Sequence, residues 1–125
     1  IHVLDHCSAL DVILDKGKIG DTYLIGSQNE KTNIDIVNQI CKYFNENISI
    51  ENFDYKSLIK FVDDRPGHDF RYAIDNSKIK NELGWEPRYS FSNGLQSTIK
   101  WYCENKKWYK DLLNSNNLKR MGTIK

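Results

Sequence analysis

The sequence predicts a mixed α/β chain in which short strands are set among about four helices. Two observations lead there. Apolar residues recur at helical spacing in separate stretches, and three short β-prone segments lie between them, bounded by glycine, proline or charged residues. No internal repeat and no linker divides the chain. The strands are few and far apart, so they read as additions to a larger sheet or as a small sheet of their own.

The first helix is expected over Val3–Leu14, with Val3, Cys7, Leu10 and Leu14 as its apolar face and Val12 and Ile13 widening it. Asp5 is placed to cap free amides at its start, and Gly17 to stop it. Thr22–Ile25 lies between Gly20 and Gly26 and reads as a buried strand. A second helix is expected over Ile34–Phe44, capped by Thr32 or Asn33, followed by an Asn-rich loop over Asn45–Asn52. Leu58–Val62 is expected as a second strand. It ends at Asp63-Asp64-Arg65-Pro66-Gly67, where charges beside Pro-Gly dictate a turn. Tyr72–Ile74 is the third expected strand. Asp75 then caps a short helix over Asn76–Leu83, which Gly84 stops, and Trp85 and Pro87 follow in a loop. A last long helix starts near Ser90 or Ser92 and carries Phe91, Leu95, Ile99 and Tyr102 on one stripe, with Thr98 filling it. We expect one domain over residues 1–113 and a polar, fraying tail over 114–125.

The chain has 125 residues and a formal net charge of +1, from 18 basic and 17 acidic side chains. That balance lacks the basic footprint of a general nucleic-acid binder. No apolar run is long enough to span a bilayer, and no basic leader precedes an apolar stretch at the start. The chain begins on Ile1 rather than Met, which we read as a removed start or a piece of something longer. Cys7, Cys41 and Cys103 are far apart, with no CxxC pair. They are expected as reduced, packed thiols rather than metal ligands.

The sharpest chemical feature is Asp64-Arg65-Pro66-Gly67-His68. An arginine on a Pro-Gly turn is a pre-organised fork for a phosphate or carboxylate, and Gly67 permits close approach to the backbone. The same residues also fit a plain surface turn in which Arg65 pairs with Asp63 or Asp69. A second feature, Asn29-Glu30-Lys31-Thr32-Asn33, joins a strand to a helix start. Amides there favour an anion, and ordinary helix capping explains the same residues. His2 and His6 are four apart but lack any metalloprotease pattern, so no metal site is expected. Trp85, Trp101 and Trp108 are expected to pack rather than to stack on bases. A glycine-rich dinucleotide loop is absent from these residues. The one Tyr-x-x-x-Lys match, Tyr102 to Lys106, lies on the amphipathic last helix with Tyr102 on its apolar stripe, and is read as a coincidence.

Three blocks carry a resemblance. The first is Val3-Leu4-Asp5-His6 running into Cys7-Ser8-Ala9-Leu10. The second is Gly20–Gly26 followed by Asn29–Asp35. The third is Asp64–Asp69 with Arg71–Asp75, Lys78-Ile79 and Glu82–Pro87. Together they are similar to the C-terminal part of the extended short-chain dehydrogenase/reductase family, and within it to the dTDP-glucose 4,6-dehydratases. The resemblance runs from Ile1 to about Trp108. Leu-Gly-Trp-x-Pro is widespread in that family; the Asn-Glu-Lys-x-Asn and Asp-Arg-Pro-Gly-His-Asp combination is narrower. Leu4 stands where the family has Glu, and Ser27-Gln28 where it has Gly-His.

The resemblance implies a C-terminal substrate-binding lobe without its Rossmann domain, and a parent enzyme that acts on a nucleotide sugar with bound NAD. The parent would take hydride from C4 of the sugar, lose water across C5 and C6, and return the hydride to C6. NAD and the catalytic groups belong to the N-terminal domain, so no catalytic residue is expected in this chain. A further substrate-binding arginine of the family would fall just before Ile1. What carries over is substrate binding: Asn33, Asp64, Arg65, Pro66, Gly67 and His68, with Arg65 at the diphosphate. The resemblance further implies a cytoplasmic homodimer in deoxysugar (rhamnose-type) synthesis, with no nucleic-acid or membrane partner. A UDP-glucose 4,6-dehydratase, another extended short-chain epimerase or dehydratase, and a non-catalytic binding remnant are the alternatives.

Overall fold

The structure is a computed structural model that describes the backbone of residues 1–115 and the side chains of residues 1–110. In chain order it holds α1 (Val3–Lys16), α2 (Asn33–Asn47), a 3-10 turn (Tyr55–Leu58), α3 (Ser77–Leu83), α4 (Phe91–Glu104) and α5 (Lys106–Ser115). Among the described residues there is no strand, which overturns the expected α/β class. The three β-prone segments Thr22–Ile25, Leu58–Val62 and Tyr72–Ile74 carry no strand ladder. Leu58 closes the 3-10 turn, and Phe61 and Val62 lie exposed. A β-prone sequence becomes a strand only when a neighbour takes its N–H and C=O groups, and none does so here. Of the expected tail, 114 and 115 end α5, and 116–125 lie outside the described residues.

The chain forms two compact units. The first comprises Ile1–Thr32 and Tyr72–Thr98. Its core is Ala9, Ile79 and Trp85, with Val12, Ile13, Tyr23, Ile25 and Leu83 packed against it. The inward face of α1 is therefore Asp5 and Ala9 with the half-buried Val12 and Ile13, which were expected on it, whereas Val3, Cys7, Leu10 and Leu14 are exposed against expectation. Asp5 is the reason. It does not cap α1, a task that falls to His2, whose Nδ1 accepts from the Leu4 N–H. Asp5 instead turns inward, 2% exposed, and its carboxylate accepts the backbone N–H groups of Arg88 and Tyr89. A buried carboxylate is tolerated where such donors satisfy it. Trp85 packs as expected, and its Nε1–H donates to Ser8 Oγ at 2.9 Å. Gly84 ends α3 in the left-handed region, φ 68°, where a Cβ would be strained. Asp75 caps that helix through the Ser77 N–H, as expected.

The second unit comprises Asn33–Arg71 and the described residues from Ile99 onward. Here α2 runs past the expected end at Phe44 and absorbs Asn45–Asn47. The Asn45 side chain explains the extension. Its amide donates to Asp54 Oδ1 at 2.7 Å, and its carbonyl accepts from the Tyr55 N–H at 3.0 Å. Those bonds, with the Phe44 and Tyr55 rings 5.1 Å apart, override weak helix propensity. The expected single last helix is broken. Asn105 lies between α4 and α5, its Nδ2–H bonded to the Trp101 carbonyl. Trp101 and Trp108 pack edge to face with ring centroids 5.2 Å apart.

Candidate functional site

The Asp64–His68 turn is built from its own residues. The His68 N–H donates to the Arg65 carbonyl at 3.3 Å, closing a four-residue turn with Pro66 and Gly67 at its centre. Gly67 has φ +69°. Proline at the second position and glycine at positive φ in the third are what a type II turn requires. Asp64 Oδ1 accepts from the Arg65 N–H at 2.8 Å and lies 2.7 Å from His68 Nδ1. The carboxylate thus ties the turn's first residue to its last.

Arg65 is exposed, and among the described residues its guanidinium makes no ion pair with Asp63 or Asp69. The carboxylate of this turn that is paired inside it is Asp64, with His68. The turn presents an exposed cation on a backbone that Pro66 restricts and Gly67 allows to take a positive φ, an arrangement that suits a phosphate or carboxylate.

Asn33 opens α2 and is exposed. A fifteen-residue helix carries a positive partial charge at that end. Asn33 and the turn belong to the same compact unit, and among the described residues no hydrogen bond or ion pair joins them. The structure therefore shows two separate features here.

The first unit holds a feature that sequence reasoning missed as a cavity. A cleft of about 460 Å³ is lined by Ile1, Ile25–Glu30 and Tyr72–Asp75. Its two walls are the β-prone segments ending at Gly26 and Asp75. Gly26 is buried, and a Cβ there would lie 2.9 Å from Ile74 Cβ. Across the same approach, Asn76 Nδ2–H donates to the Gly26 carbonyl at 3.0 Å. Gln28, one of the two departures from the family at Ser27-Gln28, lies in this cleft with φ +49°. The lining includes the carboxylates Glu30 and Asp75 and no basic side chain. The Ser77 backbone N–H, then its hydroxyl, hold the Asp75 carboxyl below its usual range. The visible signal was the pair of apolar runs that each end on polar residues.

Other sequence features fall outside any site. Tyr102 lies on α4 and Lys106 opens α5, so the break at Asn105 separates them, and Tyr102 packs on Tyr109 with centroids 5.7 Å apart. His2 stacks on Tyr89 at 4.1 Å, and among the described residues no group of three His, Cys, Asp or Glu side chains is placed to hold a metal. Of the three thiols, Cys41 is buried and Cys103 half-buried, whereas Cys7 is exposed and not packed as expected. Among the described residues no helix is long and apolar enough to cross a membrane.

A dTDP-glucose 4,6-dehydratase of Escherichia coli is 45% identical, with 99% of this chain and 35% of that protein covered. One of Neisseria meningitidis is 45% identical, with 100% and 36% covered. A Bacillus anthracis dTDP-glucose 4,6-dehydratase solved with NAD matches at TM-score 0.78 and 48% identity, over 90% of this chain and 33% of that one. A Streptomyces venezuelae dTDP-glucose 4,6-dehydratase, also with NAD bound, matches at TM-score 0.79 and 36% identity, over 90% and 32%. The chain spans about a third of the length of these relatives. The family model for GDP-mannose 4,6 dehydratase matches residues 1–98, most of the chain, and the protein belongs to that family.

Proposed function

We propose that residues 1–113 are the nucleotide-sugar-binding portion of a dTDP-glucose 4,6-dehydratase, a lyase that converts dTDP-glucose to dTDP-4-dehydro-6-deoxyglucose. Arg65 carries the reading: an exposed guanidinium that pairs with neither Asp63 nor Asp69, on a turn whose φ is fixed at Pro66 and turned positive at Gly67. The identity of about 45% to enzymes of that name supports it.

In this reading Arg65 takes the diphosphate, where a planar fork offsets two negative charges. Asn33, at the α2 N-terminus, adds a polar contact, and Asp64, Pro66, Gly67 and His68 complete the turn. NAD, which relatives solved in complex hold, would be bound by the rest of a longer enzyme and supplies the hydride acceptor there. The work of this chain is to bind and orient, so that remote contacts hold the sugar for chemistry elsewhere. The parent enzyme is proposed to be a cytoplasmic homodimer.

Calorimetric titration of the complete protein with dTDP-glucose tests this. Binding that Arg65→Ala weakens about tenfold or more supports the reading, since charge-assisted hydrogen bonds contribute about 1.5–3 kcal/mol. An unchanged affinity in Arg65→Ala would remove Arg65 from the site.

A further inference from the structure

We propose that Asp64 is a positioning residue that acts through His68 and does not itself touch the ligand; this rests on the nucleotide-sugar reading of the turn. Two observations carry it. Asp64 Oδ1 lies 2.7 Å from His68 Nδ1, and the same oxygen accepts the Arg65 N–H at 2.8 Å. An ionised carboxylate only accepts hydrogen bonds, so in the neutral ring the hydrogen sits on Nδ1. Nε2 is then left with a lone pair. A lone pair repels a phosphate oxygen and accepts a hydroxyl hydrogen.

The turn therefore divides its work. Arg65 faces the anionic part of the ligand, and His68 Nε2 accepts from a neighbouring hydroxyl of the sugar or deoxyribose. Asp64, anionic and anchored twice inside the turn, sets the ring's tautomer and orientation. The turn itself does not depend on it, because the His68 N–H to Arg65 carbonyl bond, Pro66 and Gly67 close it independently.

The test uses the complete protein and dTDP-glucose as probe. Asp64→Asn keeps an acceptor for Nδ1–H and is expected to bind within about twofold of the parent, whereas Asp64→Ala loses about fivefold, the worth of one hydrogen bond. Asp64→Ala combined with His68→Ala should bind no more weakly than His68→Ala alone, the non-additivity expected of residues acting as a unit. Nitrogen-15 spectra of the His68 ring, at a pH where it is neutral, should show Nδ1–H in the parent and a shift toward Nε2–H in Asp64→Ala, a change that a merely structural role would not give. Additive losses, or Nε2–H in the parent, overturn the proposal. An Arg65→Ala variant of unchanged affinity overturns the nucleotide-sugar reading itself. Weakened Arg65→Ala with additive Asp64 and His68 losses overturns only the role given to Asp64.

Discussion

The Asp5 carboxylate closes on the backbone of Tyr89, accepting its N–H at 3.1 Å through Oδ2 while Oδ1 takes the N–H of Arg88 at 2.9 Å. The group comes from the first turn of α1 and reaches a loop more than eighty residues along the chain. It is the polar counterpart of the small Ala9, Ile79 and Trp85 core in the same unit.

Asp5→Ala leaves both N–H groups without their acceptor in a part-buried setting. Each such loss costs about 1–3 kcal/mol, so two cost about 2–6 kcal/mol, and the part-buried setting puts the expected loss toward the lower end. Asp5→Asn keeps one acceptor and is expected to lose about half as much. Urea denaturation followed by circular dichroism measures both, and an unchanged midpoint in Asp5→Ala would show that the loop holds without the carboxylate.

Asp5 also shows why the sequence was legible in part. Helices stand at all four expected places, three of them read from apolar periodicity and α3 from Asp75 and Gly84 at its ends, although the last one is broken into α4 and α5. The inward face of α1 was not readable, because a carboxylate and an alanine occupy it while Leu10 and Leu14 face out. Only the distant N–H groups of Arg88 and Tyr89 make Asp5 an interior residue. The expected strands failed for a related reason: β-propensity is a local property and a ladder is not. The turn at Pro66-Gly67 was legible, since proline fixes φ and glycine admits the positive φ of the next position, whereas the Asp64 to His68 contact was not. The cleft was not, as its walls lie about fifty residues apart, joined by the Asn76 to Gly26 bond.

Trp85→Ala removes a side chain that is 5% exposed and belongs to the core of the first unit. The loss is expected to be about 3–5 kcal/mol. Trp85→Phe keeps most of the packing and removes the bond to Ser8 Oγ, so about 1 kcal/mol plus a small packing term is expected. Thermal unfolding of the two variants beside the parent separates packing from hydrogen bonding, and equal losses in both would assign the stabilisation to the Nε1–H bond.

Gly26→Ala places a Cβ 2.9 Å from both Ile74 Cβ and Ile74 Cγ2. The contact is with a branched side chain next to its own backbone, which cannot swing aside. The two cleft walls must separate, at an expected cost of about 1–3 kcal/mol. A melting temperature equal to the parent's would show that the walls move apart freely.

Asp21 and Lys78 form an exposed ion pair, and Lys78 also donates to the Thr22 carbonyl at 3.1 Å. The hydrogen bond from Lys78, then the Thr22 N–H, hold the Asp21 carboxyl below 3.8; the bond to Asp21 raises the Lys78 ammonium above 10.5. Because the folded Asp21 pKa is depressed, its contribution is present above 3.8 and lost as pH falls through the lower folded value. The contribution of Lys78 is present below 10.5 and lost as pH rises through the higher folded value. Asp21→Asn should therefore flatten stability at both ends of the pH range, by a small amount that salt reduces further, because the pair is exposed. Unfolding midpoints taken across pH check this, and a parent profile matched by the variant between 3.8 and 10.5, where the pair contributes in full, would show the pair to be inert.

Gly67→Ala acts on binding more than on stability. At φ +69° an L-residue costs roughly 1–2 kcal/mol. A Cβ there meets nothing within 4 Å, so the penalty is conformational and not steric contact. An exposed turn is free to relieve that strain by flipping its central peptide, which would carry Arg65 and His68 out of their shared arrangement around Asp64. The expected result is a melting temperature close to the parent's with dTDP-glucose affinity lowered about fivefold to tenfold, the fold-change that 1–1.4 kcal/mol corresponds to. Gly67→Asn, which visits the left-handed region at lower cost, should recover part of that affinity. If Gly67→Ala bound as the parent does, the positive φ of the turn would have no part in holding Arg65.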